Sequence, residues 1–220
     1  MLEHNINIVT GHYGSGKTEF SVNFALELKK THEKVILVDL DIVNPYFRSN
    51  DSRKLLEDAG IDVIAPHYAG TNVDIPVLPP EIMRVFEEKD AKIVIDVGGD
   101  DDGAIALGRY KKYFDANGYE MYLVINTRRP LTTSEDEIIR MKEDIESASR
   151  LSVTGLISDT NIAGETTPEI VMEGFDVVNN VSKKTGLLIK FICAEEKVAS
   201  NLPDTIKDKI FTIVRRTIKI

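Results

Sequence analysis

The sequence has little of three features that would each place it in a special class of protein. Among its 220 residues there is one cysteine, Cys193. A single cysteine can form no internal disulfide and cannot by itself build a thiolate cage for zinc or an iron–sulfur cluster, so we interpret it as a small buried hydrophobic residue. Long apolar runs are also missing, because no stretch approaches the roughly 20 residues that a membrane-spanning helix needs.

Positive charge is the third scarce feature. Acidic residues outnumber basic ones, which gives a formal net charge of −9 and a pI near 5.0. That balance argues against a surface that attracts nucleic acid or anionic lipid as a whole. The first residues contain no basic segment and no long apolar segment of a signal peptide. We therefore expect a soluble cytoplasmic chain without specific nucleic-acid contacts or membrane contact.

Short β-branched runs alternate with longer segments of helical spacing along the chain. Continuous apolar runs such as residues 35–38 are typical of strands that are covered on both faces. Repeated strand–helix units predict a three-layer α/β fold, with a twisted, mainly parallel sheet and helices on both faces. The predicted strands are residues 5–10, 34–39, 61–65, 92–96, 119–126, 153–158 and 187–193, and the clearest helices are residues 18–30 and 134–149.

No internal repeat or flexible linker divides the sequence, so we predict one domain over residues 1–220. A further helix-like segment covers residues 104–114. Residues 67–80 are rich in proline and predict a surface loop, which either is a simple excursion or meets a substrate or partner. Residues 204–220 have isoleucines at helical spacing among basic residues, which predicts an amphipathic C-terminal helix. We expect this helix to pack on the sheet; the alternative is a helix that lies on a membrane surface.

A complete GxxxxGK[ST] motif follows the first predicted strand and precedes the first predicted helix, as a phosphate-binding loop requires. Glycines let successive backbone N–H groups converge on phosphate oxygens, and the helix dipole adds positive potential. Lys17 then contacts the β- and γ-phosphates, and the Thr18 hydroxyl binds Mg²⁺. The candidate nucleotide-binding residues, called the phosphate loop below, are Gly11, His12, Tyr13, Gly14, Ser15, Gly16, Lys17 and Thr18, with Glu19 directly after them.

Carboxylates end two of the predicted strands. Asp39 and Asp41 share one side of the second strand end, because side chains alternate along a strand. Asp96 ends the fourth strand and begins a DxxG pattern that closes at Gly99. In such a pattern the glycine N–H senses a γ-phosphate, and the aspartate holds the metal through water. We predict that these groups meet the phosphate loop at one edge of the sheet.

With these motifs in this chain order, the sequence resembles the MinD/ParA-like group of P-loop NTPases, which includes CobQ/CobB-type proteins. The resemblance covers residues 5 to about 193. It implies a P-loop NTPase fold and a Mg²⁺-dependent nucleotide switch that uses ATP, with GTP as the alternative, and that binds a protein partner or itself. It also implies that Lys17 and Asp41 are catalytic, Asp41 by placing the attacking water. Thr18, Asp39 and Asp96 would form the metal site.

Two positions depart from the pattern of that group. His12 stands where ParA-like members carry a lysine that reaches across a dimer, which leaves dimerisation open. Asp159 stands where the group often has an asparagine that reads adenine. A carboxylate could accept either the adenine amino group or the guanine N1–H and N2–H, and Asn161 could supply the amide instead. Alternatively, both residues simply shape a turn.

Two other functions use the same motifs. The first is a ligase or kinase of CobQ or dethiobiotin synthetase type that activates a small carboxylate, with residues 67–80 and Arg48 as substrate contacts. The second is a nucleotide sensor that binds without hydrolysis. For any of the triphosphate reactions, Arg48, Arg109, Arg128 or Arg129 could stabilise transition-state charge, although a single arginine is more often a solvated surface residue.

Overall fold

The computed structural model describes residues 4–40, 50–65, 82–98 and 101–215. Eight strands form one sheet in the order β3-β2-β4-β1-β5-β6-β7-β8, and every strand pair in it is parallel. The strands are β1 (Ile6–Thr10), β2 (Val35–Leu40), β3 (Asp62–Ile64), β4 (Lys92–Val97), β5 (Tyr119–Ile125), β6 (Gly155–Ser158), β7 (Leu188–Ala194) and β8 (Ile210–Thr212). The predicted fold class is confirmed.

Helices cover both faces of the sheet. They are α1 (Lys17–Lys29), α2 (Asn50–Asp58), α3 (Ile82–Glu87), α4 (Asp101–Gly108), α5 (Lys111–Asn117), α6 (Glu135–Ser149), α7 (Pro168–Thr185) and α8 (Glu196–Ala199). The described residues also include two short 3₁₀ helices, Ala163–Glu165 and Asp204–Lys209. None of the helices in the described ranges is both long and apolar enough to cross a membrane.

The strand sequences explain the three layers. Successive side chains of a strand point to opposite faces, so Ile8 packs with α3, α4 and α5 on one side while Val9 packs with α1 on the other. The predicted apolar face of α1, with Phe20, Phe24 and Leu28, is buried in the second of these clusters. Strands buried on both faces need apolar residues at nearly every position, as in β2.

The starts of two long helices are fixed by side-chain caps. Ser134 and Glu137 form a reciprocal capping box at the start of α6. Thr167 caps α7, whose first residue is Pro168. These local signals explain why the boundaries predicted from sequence and those in the structure agree closely at α6.

The predicted C-terminal helix is wrong for the residues that the structure describes. Residues 204–209 form a 3₁₀ helix, and Ile210–Thr212 form the edge strand β8 beside β7. The isoleucines at helical spacing do not share one helix face. Ile206 packs with α7, whereas Ile213 packs with α1 in a different hydrophobic cluster. Residues 216–220 lie outside the described part of the chain.

The helix-like segment 104–114 is two helices, α4 and α5, separated at Arg109 and Tyr110. Tyr110, in the break, and Tyr113, in α5, both stack on Phe86 of α3. The loop predicted at residues 67–80 lies outside the described residues.

Candidate nucleotide site

The phosphate loop joins the central strand β1 to α1, at the carboxyl edge of the sheet between β4 and β5. Gly11, Gly14 and Gly16 all have positive φ, of 147°, 73° and 95°. A Cβ atom on Gly11 would overlap the carbonyl oxygen of Val124 in β5. Glycine is therefore needed here both for the backbone conformation and for the close approach of β5.

The loop ends where α1 begins. The Phe20 N–H donates to the Gly16 carbonyl at 2.9 Å, which is the first helical hydrogen bond, so the amides of residues 17–19 lie ahead of the helical ladder. The helix N-cap is Gly16, which has no side chain to offer these amides. Such a helix end attracts anions.

Lys17 is almost fully buried, and its Nζ donates to the carbonyl oxygen of His12 at 3.0 Å. This bond holds the ammonium group across the curved loop rather than in solvent. The Ser15 amide donates to the same carbonyl at 3.1 Å. The lysine of the motif and the turn of the loop are thus fixed by one acceptor.

Asp96, at the end of β4, accepts two hydrogen bonds from α1. Thr18 Oγ1 donates to Oδ2 at 2.6 Å, and Ser21 Oγ donates to Oδ1 at 3.1 Å. Asp39 is fully buried and is paired with Asp96 in the register of β2 and β4. Paired residues of parallel strands share a face, so both carboxylates lie on the α1 side of the sheet.

The donor set suits a hard cation. Thr18, Asp39 and Asp96 offer only oxygen atoms, which is what Mg²⁺ prefers. Among the described residues no three His, Cys, Asp or Glu side chains come together as a metal cage. Two carboxylates and a hydroxyl are nevertheless sufficient, because Mg²⁺ at phosphate sites keeps waters and takes phosphate oxygens as its other ligands. The residues present therefore fit this ion.

Arg129 contacts the phosphate loop, since its Nε donates to the Gly14 carbonyl at 3.1 Å. Arg128, its neighbour, forms an ion pair with Glu173 of α7 instead. Arg109 follows α4. His12 is half-buried and its Nδ1 lies 3.0 Å from the Tyr13 carbonyl oxygen, while Tyr13 is largely exposed.

Asp159, at the end of β6, lies against the other side of the loop. Its side chain is fully buried, and Oδ1 accepts a hydrogen bond from Arg215 Nη2 at 2.5 Å. Burial raises the pKa of Asp159 to about 6, although Arg215 opposes the rise. Burial disfavours the charged form of Arg215 as well, but the neighbouring carboxylate outweighs it and the pKa of Arg215 is raised. A base-reading role for Asp159 stays a prediction.

Asn161 belongs to the same loop and is also buried. Its Nδ2 donates to the Asp159 carbonyl at 2.8 Å, and its backbone carbonyl accepts from Asn126 Nδ2 at 3.2 Å. Thr160 Oγ1 accepts from the Thr127 amide at 3.2 Å. The loops after β5 and β6 are therefore tied together beside the phosphate loop, which agrees with the turn-shaping interpretation and leaves base recognition to be tested.

A cleft of about 370 Å³ opens beside the start of the phosphate loop. Its walls come from the end of β1, from Gly98 after β4 and from α6. The polar groups that face it include His12, Glu137, Arg140 and Asp144. Asp159 is not among the residues that line it.

Three of the predicted site residues cannot be placed. Asp41, Gly99 and Arg48 lie outside the described residues. The structure does bring together the phosphate loop, Asp39 and Asp96.

No protein-family profile matches this chain, and no curated protein matches it.

Solved structures, in contrast, share its fold. Cell division protein FtsY from Thermotoga maritima matches 88% of this chain with a TM-score of 0.59 and 21% identity. FlhF complexed with GTP and Mg²⁺ matches 86% with a TM-score of 0.54 and 15% identity. A nucleotide-binding protein from Archaeoglobus fulgidus in complex with ADP matches 89% with a TM-score of 0.53 and 14% identity.

These similarities show the fold: the chain has the α/β fold of the P-loop NTPases. It spans 63% of the length of the Thermotoga FtsY structure and 84% of the Archaeoglobus protein.

Two residues near the site were missed by the sequence interpretation. Arg215 was assigned to a helix, and Asn23 was not singled out. Asn23, on α1, exchanges hydrogen bonds with the backbone of Val214, at 3.0 Å and 2.9 Å. Because these contacts join residues nearly 200 positions apart, no local signal in the sequence could have revealed them.

Proposed function

We propose that the chain is a Mg²⁺-dependent nucleoside triphosphatase of the MinD/ParA-like group that acts as a nucleotide-dependent switch. The observation that carries the proposal is the joining of the phosphate loop to Asp96 through Thr18, with Asp39 beside it. In this arrangement the helix N-terminus after the glycine-rich loop can bind the phosphates of a nucleoside triphosphate. The hydroxyl that the carboxylate orients can bind the metal ion.

Each group then has a chemical task. The amides at the start of α1 bind phosphate oxygens, and Lys17 exchanges the His12 carbonyl for the β- and γ-phosphates. Thr18 and Asp96, with Asp39 behind them, would hold Mg²⁺, which when bound neutralises charge on the transferred phosphoryl group. Asp41 orients the attacking water for in-line displacement. Arg129 reaches the loop through Gly14 and would stabilise the charge that develops on the phosphate.

Loss of the γ-phosphate would release the segments that follow Asp39 and Asp96, and so change what the protein binds. We propose that a protein partner, or a second copy of the chain, binds to only one of the two nucleotide states. ATP is proposed as the nucleotide because of the resemblance of the motifs to the MinD/ParA-like group. The ADP in the Archaeoglobus structure supports this choice, whereas the GTP in the FlhF structure makes GTP the alternative to be tested.

The cleft beside the loop favours a second candidate function. It lies next to Gly11 and Gly98, and Arg140 is the one arginine or lysine among the described residues that line it, beside the carboxylates of Glu137 and Asp144. A small substrate whose carboxylate pairs with Arg140 would lie close to the phosphate loop. A ligase or kinase that activates a carboxylate would use the site in this way. Such an enzyme would release phosphate or ADP only when its substrate is supplied.

The test is phosphate release from Mg²⁺·ATP and Mg²⁺·GTP by the purified chain, compared with Asp41→Ala. Slow phosphate release that is lost in Asp41→Ala supports the switch. The nucleotide that is hydrolysed faster shows whether the site prefers adenine or guanine. Nucleotide binding without release would favour the substrate-dependent enzyme or the sensor.

Nucleotide affinity should be measured on the same protein with Lys17→Ala and with Lys30→Ala as its control. Lys30 follows the other end of α1 and pairs with Glu27, away from the phosphate loop. If Lys17→Ala bound nucleotide as tightly as Lys30→Ala, the phosphate site would be wrongly assigned.

A further inference from the structure

The C-terminal segment, residues 213–215, is attached to the phosphate-loop side of the molecule at three points. The Ile213 amide donates to the Ala194 carbonyl at 2.9 Å, next to β8. Val214 exchanges two backbone hydrogen bonds with the side chain of Asn23 on α1. Arg215 then enters a nearly closed space, where its side chain is 11% exposed and pairs with the fully buried Asp159.

That ion pair borders Gly16, the last residue of the phosphate loop before α1. A Cβ atom on Gly16 would overlap Oδ2 of Asp159 and would lie 3.9 Å from Nη1 of Arg215. The Asp159 backbone is held to the sheet, because its amide donates to the Ile125 carbonyl at 2.8 Å. The carboxylate therefore stands between a fixed sheet and the left-handed turn of the loop.

Arg215 is what makes this arrangement stable as a charged pair. A buried carboxylate that loses its partner either takes up a proton or moves toward water, and both are costly. Asp159 has little room to move, since Gly16 is packed against it. Any shift of the carboxylate would be transmitted to the turn that shapes the phosphate loop.

We propose that Arg215 is a positioning residue for the phosphate loop: through its buried ion pair with Asp159, the C-terminal segment holds Gly16 in the conformation that binds the triphosphate. The inference rests on the proposed function, since it concerns the affinity of the same site. Coupling between two sites is reciprocal, so bound nucleotide must also hold the C-terminal segment more firmly.

The first experiment measures the dissociation constant of Mg²⁺·ATP, and of Mg²⁺·GTP, for the full chain and for Arg215→Gln. We expect the constant to rise by about tenfold, within the usual range for coupled sites. Arg215→Lys keeps the charge and should recover part of the affinity. Asp159→Asn should weaken binding similarly, and the double variant should be no weaker than either single one, because the two residues act as one unit.

The matched control is Arg84→Gln. Arg84 also pairs with an aspartate, Asp62, but that pair is exposed and lies at the β3 edge of the sheet, away from the loop. Its nucleotide affinity should stay within about twofold of the unchanged protein. All variants are compared at a temperature where circular dichroism shows that they are folded.

The second experiment needs no variant. Hydrogen exchange of the Val214 amide, which donates to Asn23, should slow by about fivefold or more when nucleotide is bound. If Arg215→Gln fails to fold, this measurement still tests whether bound nucleotide stabilises the C-terminal segment.

Two affinity results would overturn the inference, and so would one exchange result. One is a folded Arg215→Gln with unchanged affinity, which would make the ion pair purely structural. The other is tighter binding, which would mean that the segment competes with nucleotide. Exchange of Val214 that does not respond to nucleotide would also overturn it. If the unchanged protein binds neither nucleotide, the proposed function itself has failed, and that outcome is distinct from these.

Discussion

Thr18 donates a hydrogen bond to Asp96 across 2.6 Å, and this contact joins the start of α1 to the end of β4. The two residues are 78 positions apart in the chain. Each belongs to a sequence motif, and the two motifs can form a nucleotide site only when they lie side by side. Ser21 adds a second donor one turn along the helix, so both oxygens of the carboxylate are engaged. The aspartate is thereby oriented before any ligand arrives.

Replacing Asp96 by asparagine should raise the Mg²⁺ concentration needed for half-maximal phosphate release by about tenfold. An amide keeps the shape but can no longer accept from both Thr18 and Ser21, and it carries no charge for the cation. Ser21→Ala, which removes one of the two hydrogen bonds and leaves the charge, should have a smaller effect. A Mg²⁺ titration of phosphate release separates the two, and equal curves for both variants would contradict the metal site.

Gly16→Ala should destabilise the fold by clearly more than Gly186→Ala. Both glycines have left-handed φ values, of 95° and 76°, so alanine is strained at each by about 1–2 kcal/mol. Only at Gly16 would the added Cβ also overlap a buried carboxylate, whereas nothing lies within 4 Å at Gly186. Urea unfolding of both variants measures the difference. Equal losses of unfolding free energy in the two variants would show that the Asp159 side chain moves away from the added Cβ atom at little cost.

Gly174→Ala should destabilise the protein by about 1–3 kcal/mol, although alanine ordinarily favours a helix over glycine by about 1 kcal/mol. Gly174 lies within α7, and a Cβ atom there would overlap the side chain of Thr160, which is bonded to Thr127. Gly164→Ala, with open space around it, is the control and should be near neutral. Thermal unfolding is sufficient to compare them, and a gain in stability at position 174 would refute the packing argument.

The free energy of unfolding should carry a pH dependence that comes from Asp159. In the folded chain burial raises the pKa of Asp159 to about 6, against an ordinary value of 3.8. Between these values the folded chain holds a proton that the unfolded chain has released, so this contribution to stability falls as pH rises from about 4 to 6 and is constant above.

The groups that face this carboxyl are Arg215 from the C-terminal segment, Glu19 from α1 and the Cys193 thiol from β7. Asp159→Asn leaves them in place and removes the titration. The difference in unfolding free energy between the two proteins, measured by urea between pH 4 and pH 8, should therefore change below pH 6 and be flat above it. A flat difference throughout would show that the carboxyl titrates near its ordinary value.

Much of the fold could be predicted from the sequence because its signals are local. Continuous apolar runs predicted the strands of the sheet interior, and apolar residues at helical spacing predicted a helix over residues 134–149, where the structure has α6. The phosphate loop is equally local, since glycines that need positive φ, a lysine and a threonine stand in one segment. Cys193 is fully buried, as its apolar surroundings in the sequence indicated.

The edge of the sheet was not predictable in the same way. Residues 204–220 have helical spacing, and the sequence interpretation followed that pattern, yet Ile210–Thr212 form a strand because β7 offers an open edge to pair with. Helical periodicity is a weak preference, and the hydrogen bonds of a neighbouring strand outweigh it. Whether Asp41, Gly99 and Arg48 join the site stays a prediction.

The sequence by itself determined the fold class, the phosphate loop and the carboxylates at the strand ends. The fold class follows from the alternation of apolar strand patterns and helical patterns, and the other two features follow from short motifs with fixed spacing. Only the tertiary structure decided which side chains meet there. It placed Thr18 against Asp96, Arg129 against Gly14, and Arg215 against Asp159. Such pairs depend on the order of strands in the sheet and on the return of the chain's end to α1, and contacts at that separation leave no local pattern.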